Sequence, residues 1–268
     1  MSDRVIVSIS DGIADVRFNR PDKRNALDGD MFAAIADAGE RLKSEPGVRA
    51  VVLSGEGPSF CAGLDFASFQ AMAGDDTSIT RRGNPGHIAD GSITHLGQQI
   101  CWVWQELPVP VIAAVHGHAL GGGLQIALGA DIRIVHPDTQ MSVREVHWGL
   151  VPDMTGTFVL SRLVRSDVAR ELTYTARIID GNEALRLGLA TRLSDDPHTE
   201  AIALAGEIAA RSPGAVRGSK ELFNRLFTEG AAGQFAAERS VIGAQIGTAN
   251  QIEAVMANME KRAANFAD

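Results

Sequence analysis

Cysteine is scarce in this chain: Cys61 and Cys101 are the two thiols among 268 residues. Two cysteines make neither a disulfide framework nor a zinc-ligand pattern, and a reducing cytoplasm is the expected setting. Long apolar runs are missing as well. A membrane span needs about 18 such residues, and the apolar stretch from Val109 to Val115 is closed by Pro108 before it and His116-Gly117-His118 after it. The opening Met-Ser-Asp-Arg-Val-Ile-Val has no apolar signal core. Positive charge is not in excess either. The formal charge of −8 disfavours nucleic acid or an anionic membrane surface as a partner, although local basic contacts to a phosphorylated ligand stay open. What is abundant is apolar surface: at 45% hydrophobic the chain can bury a large core, enough for one large domain or one domain with an appendage.

The pattern opens with β-rich runs, Val5–Ile9 and Ile13–Phe18, joined at Asp11-Gly12, a dipeptide that favours a tight hairpin. Asp28 can cap a helix whose apolar positions Met31, Ile35, Ala38 and Leu42 follow helical spacing, and Pro46-Gly47 ends it before a strand at Ala50–Leu53. From Asp65 to about Gly91 the composition is that of a loop. A helix over Ser92–Glu106, a strand over Val111–Val115, a glycine turn, a helix over Gly122–Leu128 and a strand over Ile132–Val135 continue an α/β alternation. Beyond Asp167 the pattern is almost entirely helical, with segments at Asp167–Thr175, Gly181–Leu187, Thr199–Arg211, Ala215–Thr228 and Ala232–Lys261. No internal repeat interrupts it.

Two segments carry chemistry. Pro58-Ser59-Phe60-Cys61-Ala62-Gly63-Leu64-Asp65 follows the strand Ala50–Leu53, and Val115-His116-Gly117-His118-Ala119-Leu120-Gly121-Gly122-Gly123-Leu124-Gln125 leads from a strand into a helix. Glycines without β-carbons let a ligand approach the backbone, and a helix start offers N–H donors to an oxyanion. Taken alone the three glycines also fit a plain strand-to-helix turn. They do not have the G-x-G-x-x-G spacing, and no Walker lysine follows.

Together and in this order the two segments resemble the crotonase (enoyl-CoA hydratase/isomerase) superfamily. The resemblance spans nearly the whole chain: Asn19-Arg20-Pro21-Asp22-Lys23-Arg24-Asn25-Ala26-Leu27, Phe60–Asp65, Ile112–Gln125, Asp131-Ile132-Arg133, Glu145–Pro152 and Met259–Phe266. It implies a spiral of ββα units over residues 1–200 that carries the acyl-CoA site, and a helical oligomerisation region over 201–268. The implied assembly is a homotrimer or a dimer of trimers, with an acyl-CoA as substrate and no metal or cofactor beyond the CoA moiety itself. Carried over by position, the oxyanion-hole donors are the backbone N–H groups of Leu64 and Gly122. The CoA contacts fall on Lys23, Arg24, Ala62, Leu64, Asp65 and, in this family usually reaching a neighbouring subunit, Lys261.

The same comparison addresses the reaction. Of the two glutamates with which the family's hydratases activate water, the first falls on Gln125, an amide that cannot exchange a proton near neutrality, and the second on Glu145. Asp153, eight residues on, resembles an acid of the dienoyl-CoA isomerase branch, although that branch has a further aspartate where Gln125 stands. Double-bond isomerisation is therefore favoured over hydration, with a non-catalytic CoA-binding member as the other alternative. Each carboxylate also has a structural reading: Glu145 pairing with Arg144, and Asp153 capping a helix near Thr155. His116, His118 and His147 read as hydrogen-bonded structural histidines, and Trp102, Trp104 and Trp148 as core or pocket wall.

Overall fold

The computed structural model describes residues 4–65, 93–226 and 248–267. The loop expected between Asp65 and Gly91, and most of the helix expected over Ala232–Lys261, lie outside those residues.

The hairpin forms as its turn chemistry requires. Strand β1 (Val5–Ser10) pairs antiparallel with β2 (Ile13–Phe18), and Asp11 and Gly12 take the positive φ values, 53° and 77°, that a two-residue hairpin loop needs. The chain then returns through helix α1 (Gly29–Leu42) to β3 (Ala50–Gly55), which lies parallel to β2. Asp28 caps α1, its Oδ1 accepting from Met31 N at 2.9 Å. Helix α2 (Leu96–Glu106) starts later than its composition suggested, because the His95 ring accepts from the N–H groups of Gly97 and Gln98 and fixes the N-cap there.

After α2 come β4 (Val111–Val115), β5 (His118–Leu120), α3 (Gly122–Gly129), β6 (Ile132–Val135) and β7 (Gln140–Ser142). A one-turn 3-10 helix at Glu145–Trp148 leads to α4 (Gly156–Leu163), α5 (Ser166–Thr175), α6 (Gly181–Leu187) and a two-residue strand β8 (Arg192–Leu193). The chain continues through α7 (Pro197–Ala209), α8 (Pro213–Arg225) and, after an undescribed stretch, α9 (Ala249–Glu260). The main sheet has the order β1-β2-β3-β4-β6-β8 and is parallel beyond β2, while β5 and β7 form a second, small parallel sheet.

Both faces of the main sheet are covered, so its central strands are apolar throughout rather than alternating. On β3, Val51 and Leu53 face the larger core with α1, α2 and α3, while Ala50 and Val52 face Ala201 and Ala205 of α7. Gly39 lets α1 approach α2: a β-carbon there would stand 2.5 Å from Val103. Helix α8 is tied to the sheet by Lys220. Its ammonium donates to Trp104 O, Val109 O and Asp131 Oδ2 at 2.8–2.9 Å, and burial lowers its pKa against the opposing pull of Asp131.

Candidate active site

The site lies beyond the carboxyl ends of β3 and β4, where ligands of parallel sheets bind because the loops there are free to diverge. Asn25 organises the first loop. It is fully buried, accepts from Arg20 N at 2.7 Å and donates to the carbonyls of Glu56 (3.0 Å) and Ser59 (2.7 Å). The Asn-Ala-Leu motif is thus a clamp between the segment before α1 and the turn after β3. Leu27 then bridges the second segment in parallel fashion, with Leu27 N donating to Gly63 O and Asp65 N donating to Leu27 O. In such a bridge the residue opposite, Leu64, turns its own N–H away from Leu27.

Three observations place Gly122 beside it. Cys61 bridges Ala119 of β5. A β-carbon on Gly63, whose φ of 89° already favours glycine, would lie 2.6 Å from Leu120 O and 3.9 Å from Gly122 N. A β-carbon on Gly123 would lie 2.1 Å from Cys61 O, so the two loops touch backbone to backbone. Gly121, at φ 51° and ψ −120°, turns the chain into α3 and leaves Gly122 as its first residue, buried, with Leu27 and Met154 around it. Among the described residues neither Leu64 N–H nor Gly122 N–H donates to a protein acceptor. Two neighbouring backbone donors without protein acceptors, one at a helix start, are an arrangement that can cradle an oxygen gaining negative charge.

Glu145 stands at the same turn: the β-carbon position of Gly121 is 3.3 Å from Glu145 Oε1. That oxygen accepts from Gln125 Nε2 at 2.6 Å, while Oε2 is buried and has no partner among the described residues. Burial pushes the Glu145 pKa above the usual carboxylate range and the negative charge of Asp153 adds to the rise, against the lowering pull of Gln125 and nearby backbone N–H groups. Pairing with Arg144 does not occur. The Arg144 guanidinium donates to Ala176 O at 2.8 Å instead.

Gln125 is a three-way clamp. Its Nε2 holds Glu145, and its Oε1 accepts from Met154 N at 3.0 Å and Gly156 N at 2.8 Å. It therefore caps α4, the role that Asp153 was a candidate for. Asp153 is exposed and makes no hydrogen bond among the described residues, and Thr155 occupies the N-cap with φ 71°.

The sequence of the chain from residue 8 to residue 268 matches the model of the family described as enoyl-CoA hydratase/isomerase. The chain belongs to that family. It is 32% identical to a crotonyl-CoA hydratase of Syntrophomonas wolfei over 98% of both chains, and 34% identical to a short-chain-enoyl-CoA hydratase of Clostridium acetobutylicum over 96% of this chain and 95% of that one. Among solved structures it superimposes on an enoyl-CoA hydratase from Polaromonas sp. with a TM-score of 0.87 at 27% identity, covering 98% of this chain and 99% of the other.

As an enoyl-CoA hydratase/isomerase family member, the chain brings Leu64, Gly122, Gln125 and Glu145 together in one place. Asp153 is at the rim. Ala62 N donates to Arg24 O at 3.0 Å, which binds the turn carrying Lys23 and Arg24 to the Leu64 loop; both side chains are exposed. The Asp65 carboxylate is engaged by Arg20 at 2.5 Å, each side chain 13% exposed. Lys261 is exposed at the end of α9, and within one chain no described contact joins it to the site. An apolar cavity of about 520 Å³, walled in part by Trp102, Phe158 and Phe223, contains none of the candidate catalytic residues. Trp104 is fully buried, whereas Trp148 is 47% exposed and is neither core nor enclosed wall. Sequence reasoning missed the Asn25 and Gln125 clamps. Their signals were present as the asparagine of the N-R-P-x-x-x-N-A-L motif and as a glutamine two residues after the last of the three glycines.

Proposed function

We propose that this protein shifts a double bond in an enoyl-CoA thioester. The N–H groups of Leu64 and Gly122 hold the thioester oxygen, Glu145 takes the proton from C2, and the resulting dienolate is reprotonated at a remote carbon by the same carboxyl group or, for an extended diene, from the side of Asp153. The thioester oxygen gains charge as the C2–H bond breaks and returns it as the new C–H bond forms, so donors preorganised for that charge act on both steps. Raised proton affinity suits Glu145 to both taking and returning a proton.

The observation that carries this reading is the engagement of both ends of the Gln125 amide within the protein. With its carbonyl oxygen on two backbone N–H groups and its amide on Glu145, it serves to hold the single carboxylate, and Glu145 is the one buried carboxylate at the cradle among the described residues. Lys23, Arg24 and the backbone of Ala62 and Leu64 are proposed to bind CoA, with Lys261 contributing to a neighbouring subunit of a trimer or dimer of trimers. The cytoplasm is the proposed location.

A second reading, hydration with Glu145 activating a water that Gln125 helps to orient, is favoured by the hydratase names of the relatives. The two separate on product identity. Incubation with 2-enoyl-, 3-enoyl- and 3,5-dienoyl-CoA, followed by ultraviolet absorbance and chromatography, should show double-bond migration in the last two. Rapid conversion of the 2-enoyl thioester to its 3-hydroxy product without migration would overturn the isomerase reading.

A further inference from the structure

His118 lies on β5, four residues before Gly122, and its ring joins two elements of the site. Its Nδ1 is 2.9 Å from Ser59 Oγ, a fully buried side chain on the loop after β3. Its Nε2 is 3.4 Å from an Arg24 guanidinium nitrogen. A guanidinium can only donate, so Nε2 must be the acceptor and the ring's single proton belongs on Nδ1, facing Ser59. Ser59 is closely packed: its carbonyl accepts from Asn25 at 2.7 Å, and a β-carbon on Gly117 would lie 2.9 Å from its hydroxyl. Arg24 is also constrained in its backbone, with φ 50° and its carbonyl bonded to Ala62 N. The neutral imidazole therefore supplies the contact that orients an otherwise exposed guanidinium.

We propose that neutral His118 positions Arg24 for the phosphates of CoA, and that protonation of His118 releases Arg24 and weakens CoA binding. This rests on the reading that CoA lies against Arg24. A protonated ring has two donors and no acceptor, so the contact with Arg24 becomes a repulsion between cations. Burial, and after it the positive charge of Arg24, the charged group acting on the ring among the described residues, hold the His118 pKa below its ordinary value. His118 is thus neutral near pH 7, and the switch operates on the acid side.

The test is calorimetric titration with free coenzyme A at constant ionic strength, at about pH 5 and about pH 8. Wild type, His118→Gln and Arg24→Ala are compared. The phosphates of CoA titrate equally in all three, so the ratio of each protein's two dissociation constants is the readout. The glutamine amide can accept from Arg24 but cannot titrate. Acidification should weaken wild type about three- to tenfold more than His118→Gln, the worth of one partly exposed guanidinium–phosphate contact. Equal ratios in those two proteins, with Arg24→Ala weakened, would sink the switch alone. Tighter wild-type binding at acid pH than in His118→Gln would show the imidazolium acting as a phosphate ligand and would also overturn it. Unchanged affinity in Arg24→Ala at both pH values would remove CoA from Arg24 and the proposal with it. As a measurement independent of ligand, nuclear magnetic resonance of the ring should show the His118 midpoint rising in Arg24→Ala; an unmoved midpoint refutes the contact itself.

Discussion

Replacing Gln125 by glutamate changes little in shape and much in charge. One oxygen of the introduced carboxylate can keep both backbone N–H partners, Met154 and Gly156, but the other takes the place of an amide nitrogen 2.6 Å from Glu145 Oε1. Two ionised carboxylates at that distance repel by about 6 kcal/mol at an effective dielectric constant of about 20, falling to about 4 kcal/mol if the groups retreat to about 4 Å. The pair will therefore hold one proton across neutrality, so that its second ionisation lies well above that of an unfolded glutamate. The sign follows: the native state binds a proton that the unfolded state has released, and stability falls as pH rises from about 4.3 towards that raised pKa. Retaining the proton at about pH 7 costs up to about 4 kcal/mol, or a melting temperature lower by about 8–16 °C for a chain of this size. Melting curves of wild type and Gln125→Glu should stay close at acid pH, where each native state keeps one proton at this site, and diverge once the pH passes the raised Glu145 pKa of wild type. Parallel curves across that range would mean that residues 125 and 145 are not in contact, and the account of the site would fail.

Glu145→Gln should stabilise the protein while removing its activity. Burial raises the Glu145 pKa, so ionising it costs stability as pH rises through the unfolded value; the variant's gain in melting temperature should appear above about pH 4 and level off beyond the native pKa. A loss, or a gain independent of pH, would contradict the burial argument. Gly122→Ala should lower kcat by about 10²–10³ with near-native circular dichroism, because its β-carbon, 2.9 Å from Leu27 Cδ1 and 3.1 Å from Met154 Sδ, crowds the buried side chains packed around the proposed donor. Lys220→Met should cost about 3–5 kcal/mol in urea denaturation, since Asp131 and two carbonyls lose a buried partner.

Much of the main sheet and of α1, α3 and α6 was legible because turn chemistry, capping and periodicity agreed there. The small sheet was not: β5 and β7 are three residues each, and His118 reads as part of a turn until its pairing with Gln140 is seen. Glycine spacing and segment order pointed to Gly122 and Leu64, but their proximity depends on the Cys61–Ala119 and Leu27–Leu64 bridges, which are long-range pairings without a local signature. Gln125 is the clearest case. As a residue type it marks a missing acid, and in the fold it is the group that holds the remaining one and caps α4. Lys220 has no distinguishing signal at all, since a lysine on a helix is ordinarily solvated and this one is 6% exposed.

The central claim is that Glu145 moves the proton of a 3-enoyl thioester beside the Leu64 and Gly122 donors. It is tested most directly by incubating a 3-enoyl-CoA in deuterated water with wild type and with Glu145→Gln, and following both conjugation and deuterium incorporation by mass spectrometry. Wild type should form the 2-enoyl thioester with less than full deuterium at the carbon that gains a proton, because the same carboxyl group carries the C2 proton across, and Glu145→Gln should be slower by about 10²–10⁴. Undiminished conversion by Glu145→Gln, or a wild-type product consisting only of the 3-hydroxyacyl thioester, would contradict it.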